Sequence, residues 1–355
     1  MTRRHTIDEL VRPLVRELKP YSSARDEYTG ETGGMSFLDA NENPFDTGVN
    51  RYPDPHQRRL KKRIAEFRQV PEDHLLLGNG SDEVLDLLFR VFCEPGTDAV
   101  ITLPPTYGMY GVLADINGVR NIQVPLGPGF QPDVPAILAQ SGKHTKLLFL
   151  CSPNNPTGNS LDQESVVSLL EAFPGLVVID EAYIDFSDHP GYAPLMATYP
   201  NLVLTQTFSK ALGMAGIRLG ICIANPKVID YLKRVKPPYN VNELTQRFAL
   251  ENLTDPGRIR RQVAQLNQER RLLSESLEEI SFVKEIFPSD ANFLLVRVDD
   301  ADQRYAQLIQ NGIVVRNRSG QLNCKNTLRL TIGTPEENTR LLRVLASLPD
   351  KIPAK

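Results

Sequence analysis

The sequence has few of the residues that bind metals or build disulfide frameworks. Its four cysteines, Cys93, Cys151, Cys222 and Cys324, stand far apart, and three sit in or beside apolar runs. Small reduced core residues are the expected state for such thiols. The five histidines are scattered and form no helical pair, so no metal site is expected. Charge of one sign is also missing. The formal net charge is -3 and no block of like charges occurs, which argues against nucleic acid or an anionic membrane as a partner. Arg3-Arg4-His5 is too short for a basic arm, and acidic and polar residues follow it where a signal peptide needs an apolar core. No apolar run approaches the length of a membrane span. Internal repeats and low-complexity segments are lacking as well. These absences leave a cytoplasmic enzyme without a metal as the expectation.

What is present suits a folded chain of about two domains. Its 355 residues can bury a sizeable core, and 41% apolar with 23% charged content is ordinary for a globular protein. Residues 1–35 read as a polar arm with one helix, Ile7 to Leu18, ending before Pro20. Residues 36–240 alternate short apolar strands with helical segments, among them a helix from Ser81 with Val84, Leu87, Leu88, Val91 and Phe92 on one face. Near-continuous apolar strands between helices predict an α/β unit, a mostly parallel sheet covered on both faces. Pro237-Pro238 marks a stiff boundary, and residues 241–355 read as a smaller α+β unit expected to pack with the arm. There a long charged helix, Pro256 to Ile280, precedes strands at Phe293–Val296, Gly312–Val315 and Leu328–Thr331, and a helix from Pro335 to Leu348.

Chemistry gathers on the stretch Thr207-Phe208-Ser209-Lys210-Ala211-Leu212-Gly213-Met214-Ala215-Gly216-Ile217-Arg218. A lysine just past a strand, with a serine beside it and an arginine eight residues on, suits a Schiff base with an aldehyde cofactor whose phosphate Ser209 and Arg218 hold. A surface lysine and a structural arginine are the competing reading. Gly78-Asn79-Gly80-Ser81-Asp82 turns a strand into a helix, with Ser81 as the expected cap. Free N–H groups at such a helix start seat a phosphate, although an ordinary capped helix has the same pattern. Asn155 in Ser152-Pro153-Asn154-Asn155-Pro156-Thr157-Gly158, Asp180 in Asp180-Glu181-Ala182-Tyr183, and Lys210 each fall just past a strand's carboxyl end. Open parallel sheets bind ligands beyond those ends.

With these motifs in this order and spacing, the chain resembles the fold-type I aminotransferases that use pyridoxal 5'-phosphate, over nearly its whole length from Pro20-Tyr21 to Leu328-Arg329. The resemblance implies that Lys210 carries the cofactor and then acts as general base, with burial among cationic neighbours lowering its pKa. It places Asp180 against the pyridine nitrogen, where a helix cap is the structural alternative. Asn155 and Tyr183 are implied donors to the ring's phenolic oxygen, with Tyr183 counted beside Lys210 and Asp180 as catalytic. Tyr107 is implied to stack on the ring face, against the reading of a core aromatic. Ser81, Asp82 (through its backbone N–H), Ser209 and Arg218 are implied to hold the phosphate, and Tyr52 to reach the cofactor of a second subunit in a homodimer. Arg316 and Arg329 are implied to clasp anionic substrate groups. Arg318, in what reads as a loop, is ranked below them, and Arg12 and Arg16 read as solvated charges. Tyr21 and Asn43 complete the implied substrate site. Where many relatives continue Pro-Tyr with Pro-Gly, this chain has Ser22-Ser23-Ala24-Arg25.

The implied reaction is transamination of L-histidinol phosphate with 2-oxoglutarate, giving imidazole-acetol phosphate and L-glutamate. Threonine-phosphate decarboxylation and aromatic amino-acid transamination are alternatives on the same fold. A cofactor-binding regulator is a further reading, but it needs a DNA-binding domain for which no room is visible.

Overall fold

The computed structural model describes residues 5–22 and 35–350. Eleven strands form two sheets among them: β1 Leu75–Asn79, β2 Ala99–Thr102, β3 Arg120–Gln123, β4 Thr145–Cys151, β5 Leu176–Asp180, β6 Leu202–Thr207 and β7 Leu219–Ala224 in the first; β8 Val283–Ile286, β9 Phe293–Val298, β10 Arg316–Asn317 and β11 Thr327–Thr331 in the second. The helices before the first sheet's end are α1 Ile7–Leu10, α2 Pro13–Glu17, α3 Arg58–Arg68, α4 Ser81–Phe92, α5 Met109–Ile116, α6 Val134–Gln140 and α7 Gln163–Ala172. Those after it are α8 Pro226–Val235, α9 Glu243–Asn252, α10 Pro256–Glu278, α11 Ala301–Gln310 and α12 Pro335–Ser347.

The first sheet runs β1-β7-β6-β5-β4-β2-β3. The pairs from β3 to β6 are parallel, and β7 alone runs against both of its neighbours. A mostly parallel sheet is therefore what the apolar runs form. Alternate residues of each strand feed two separate cores. Leu148, Leu150, Val177, Ile179 and Leu204 face the side covered by α3 and α7. Leu147, Phe149, Val178 and Val203 face the side covered by α4, α5 and α8. Strands buried on both faces cannot show polar alternation, which is why they read as unbroken apolar runs. The second sheet, β10-β11-β9-β8, is antiparallel and packs with α11, α12 and the end of α10 around a third core.

Several expectations change. The single arm helix is two short ones, because Pro13 lacks an N–H and starts the second. The described part of the arm packs on α4 and α8 of the larger unit, where it was expected to meet the smaller one. Leu10, Val11 and Val15 enter the larger unit's core. Arg12 is no free surface charge: its backbone N–H donates to Val91 O and its guanidinium to Arg90 O and Glu94. Asp8 accepts from Lys227 and Tyr231. Ser23-Ala24-Arg25 lies outside the described residues. The core of the larger unit also continues past residue 240, through Ala249, Leu253 and Ile259, while Leu273 and Leu277 of the same 23-residue helix α10 enter the smaller core. One helix thus spans both units. Residues 312–315 form no strand: Gly312 turns with φ +71° and the strand begins only at Arg316.

Ser81 is the first residue of α4 and Gly80 its cap, with no side chain capping the helix. Strand β7 presses directly on this helix start. A Cβ on Gly220 would lie 2.1 Å from Ser81 N and 2.4 Å from Gly80 C. We therefore expect Gly220→Ala to lower the unfolding free energy by about 1–3 kcal/mol, the usual cost of overpacking, as read by urea titration of far-UV circular dichroism.

Candidate active site

The carboxyl ends of β4, β5 and β6 open into a cavity of about 580 Å³, closed on its far side by the smaller unit. Eleven of the expected site residues line it together: Ser81, Asp82, Tyr107, Asn155, Asp180, Tyr183, Ser209, Lys210 and Arg218 from the larger unit, with Arg316 and Arg329 from the smaller. Tyr21, Asn43 and Tyr52 are not at this cavity within one chain. Tyr21 is 75% exposed in a hollow beside Lys233, and Tyr52 stacks on Tyr239 at 4.4 Å. Asn43 is exposed and accepts from the backbone N–H of Phe45.

Asp180 ends β5 with its side chain 3% exposed. Tyr110 Oη donates to its Oδ2 at 2.8 Å and Ala182 N to its Oδ1 at 3.1 Å. Burial, opposed by these hydrogen bonds, pushes its pKa up to about 6. The helix-cap alternative does not describe it: Asp180 is a strand residue whose carboxylate lines the cavity. Tyr110 is fully buried and stacks on Phe149 with centroids 4.9 Å apart. It was not among the expected site residues, because nothing in its sequence context separates it from the apolar core face of α5. Tyr107 is half-buried, meets Tyr110 edge-on at 5.6 Å, and donates to Asp82 Oδ1 at 3.1 Å.

Lys210 follows β6 and opens into the cavity. Burial, then Arg329 and Arg218, hold its amine below the ordinary lysine value. Its Nζ lies 5.8 Å from the centroid of the Tyr183 ring. Tyr183 is buried and its phenol is pushed up by that burial, so it keeps its proton. Phe293 of β9 supports both halves of this wall, edge-on to Tyr183 at 5.2 Å and 5.1 Å beneath the Arg329 guanidinium. Arg329 in turn donates to Asn155 Oδ1 at 2.5 Å.

An anion cradle occupies the other end. The first N–H groups of α4 have no acceptor within the helix, and the helix dipole favours negative charge there. Arg218 takes the left-handed conformation, φ +52° and ψ +57°, which turns its guanidinium toward Ser209 Oγ at 3.4 Å and Asp82 Oδ2 at 3.6 Å. It lies over Gly80, φ +80°, where a Cβ would come within 2.7 Å of Arg218 Nη2. The positive φ favours glycine there, and a side chain would also push the Arg218 guanidinium from its place. Thr207 Oγ1 and Ser209 Oγ are 3.0 Å apart in the same cradle. The Asp82 carboxylate accepts from Tyr107 Oη, which leaves its backbone N–H as the group suited to an anion.

A phosphate cradle at one end, a buried carboxylate at the other and an amine with lowered pKa beside them fit a phosphorylated pyridine aldehyde. The aminotransferase class I and II family model matches residues 38–345, and the chain belongs to that family. The particular relatives are consistent. A histidinol-phosphate aminotransferase of Christiangramia forsetii is 56% identical over 345 residues, 97% of this chain and 99% of that protein. One of Flavobacterium johnsoniae is 57% identical over 343 residues, covering 96% and 98%. Among solved structures, the histidinol-phosphate aminotransferase from Clostridium acetobutylicum superposes with a TM-score of 0.78 at 26% identity, over 84% of this chain and 90% of that one.

The raised pKa of Asp180 has a stability consequence. A folded-state value near 6 against 3.8 unfolded means that stability is full below about pH 4 and falls as pH rises to about 6. In the cofactor-free chain Asp180→Asn should unfold at higher urea than the parent at pH 8, by about 1–3 kcal/mol, with the gain gone near pH 4.

Proposed function

We propose that this chain uses pyridoxal 5'-phosphate at Lys210 to transfer the amino group of L-histidinol phosphate to 2-oxoglutarate, giving imidazole-acetol phosphate and L-glutamate. The observation that carries the reading is the joint placement of Lys210, Asp180 and the Gly80–Arg218 anion cradle around one cavity at the carboxyl ends of adjacent strands. The near-full-length identity of 56–57% to the histidinol-phosphate aminotransferases supports the substrate. Bound there, the cofactor supplies an aldehyde that takes the amine and a protonated ring that accepts electrons.

The chain's own residues do the rest. Ser81, Asp82 N–H, Ser209 and Arg218 hold the phosphate and so set the position of the ring. Asp180 keeps a proton on the pyridine nitrogen. Ionised against that positive partner, its carboxylate regains what burial costs it. Asn155 and Tyr183 donate to the phenolic oxygen, and Tyr107 covers one face of the ring. Lys210 Nζ takes a proton from the substrate's amine-bearing carbon and later returns one. Burial and the neighbouring Arg329 and Arg218 hold its pKa below the ordinary lysine value, which favours the neutral amine that this step needs. Arg316 and Arg329 hold the anionic end of each substrate in turn.

The site is completed by a second copy, with Tyr52 of the partner subunit reaching the phosphate and Tyr21 and Asn43 closing on substrate. An exposed apolar surface supports this homodimer. Leu38 and Phe45, from the loops around Asn43, are 90% and 78% exposed, and Leu244 shares a hollow with Tyr52. A cytoplasmic setting agrees with four unpaired, buried cysteines. No described helix is long and apolar enough to cross a membrane.

The purified protein should be yellow and should turn over histidinol phosphate with 2-oxoglutarate far better than phenylalanine or tyrosine; the reverse preference contradicts the substrate assignment. Lys210→Ala should lose the visible absorbance and all but about 0.1% of turnover or less, with the unfolding midpoint of the cofactor-free chain unchanged. Turnover persisting in that variant assigns the wrong lysine.

A further inference from the structure

Three guanidinium groups, those of Arg316, Arg318 and Arg329, line the small-unit wall of the cavity. We propose that Arg318 makes this site select a phosphate monoester over a carboxylate, adding a third guanidinium to those of Arg316 and Arg329 on the dianionic group of the amino donor. This deepens the substrate reading above and rests on it.

The placement follows from register. Arg316 of β10 lies directly across from Arg329 of β11. Arg318 is two residues beyond Arg316, and its N–H donates to Thr327 O, so the antiparallel pairing continues one step further. Residues two apart on an extended segment share a face, which turns the apparent loop arginine into the cavity with the other two. Like charges set across a strand pair repel, and nothing nearby neutralises them. No ion pair to Arg316, Arg318 or Arg329 is found among the described residues, and the cavity's two carboxylates, Asp82 and Asp180, both belong to the larger unit. Five cationic side chains therefore face two acids. Arg318 Nε is buried without a hydrogen-bond partner, as are Arg329 Nε and Gln321 Oε1 beside it. Burial, then Arg329 and Arg316, depress the Arg318 pKa, the mark of a cation held without an anion.

The missing anion is better a phosphate than a carboxylate. A carboxylate offers two oxygens and one charge, which a single guanidinium fork satisfies. A phosphate monoester near neutral pH carries close to two charges and three terminal oxygens, enough for donors from three arginines. The alternative is that Arg318 serves glutamate and the phosphate ester alike.

The test uses the holoenzyme, whose cofactor already fills the Gly80–Arg218 cradle. Arg318→Gln should lower kcat/KM for L-histidinol phosphate about 10–100-fold more than for L-glutamate, and weaken competitive inhibition by inorganic phosphate about 10-fold. Arg318→Lys, which keeps the charge but not the fork, should restore only part of both and stands in if the glutamine variant does not fold. Equal losses for the two amino donors, or unchanged phosphate inhibition, overturn the proposal. If the parent itself fails to use histidinol phosphate, the substrate reading falls, and phosphate inhibition of the glutamate reaction still decides Arg318.

Discussion

A carboxylate buried at the end of a parallel strand is costly unless something positive meets it, and the rest of the site is arranged around that debt at Asp180. Two hydrogen bonds, from Tyr110 and from the backbone of Ala182, hold the group in place but do not neutralise it. Its raised pKa records the remaining imbalance. The neighbouring strand delivers Lys210 to the same cavity, and the edge strand β1 and its neighbour β7 deliver a helix start and Arg218 to the cavity's other end. A ring with a cationic nitrogen at one side and a phosphate at the other offsets both imbalances together. The cofactor-free chain is thus polarised for one shape of ligand.

The smaller unit answers the same electrostatics from across the cleft. Its arginines face the cavity from β10, the extended residue just beyond it and β11, on a wall without acids. Phe293 joins the two sides by packing against Tyr183 of the larger unit while lying under Arg329. Helix α10, rooted in both cores, ties the position of that wall to the sheet. Cofactor end and substrate end are therefore coupled through packing rather than through a flexible loop.

Much of this was legible because the proposed site sits at strand ends. Asn155, Asp180 and Lys210 each follow an apolar run, and an apolar run buried on both faces is a strong signal. What the sequence left hidden has physical reasons. Tyr110 looked like core because it is core, and only its hydroxyl reaches Asp180. Arg318 looked like a loop residue because the strand expected at 312–315 is displaced by the turn at Gly312; the extended pairing starts at Arg316 and carries Arg318 inward. Ser81 has the chemistry of a cap, but the Gly80 turn takes that position. The arm's contacts with α4 and α8 come from Arg12, Asp8 and a few apolar side chains, whose partners are far away in sequence. Tyr21, Asn43 and Tyr52 come from the resemblance alone, and within one chain none of them lines the cavity.

The most direct measurement is of the ring nitrogen that Asp180 is held to face. Holoenzyme prepared with pyridoxal phosphate labelled with nitrogen-15 in the ring reports, by nuclear magnetic resonance, whether that nitrogen carries a proton. The account predicts a protonated nitrogen at pH 8 that loses its proton in Asp180→Asn. An unprotonated nitrogen in the parent enzyme, or one indifferent to the substitution, would contradict it.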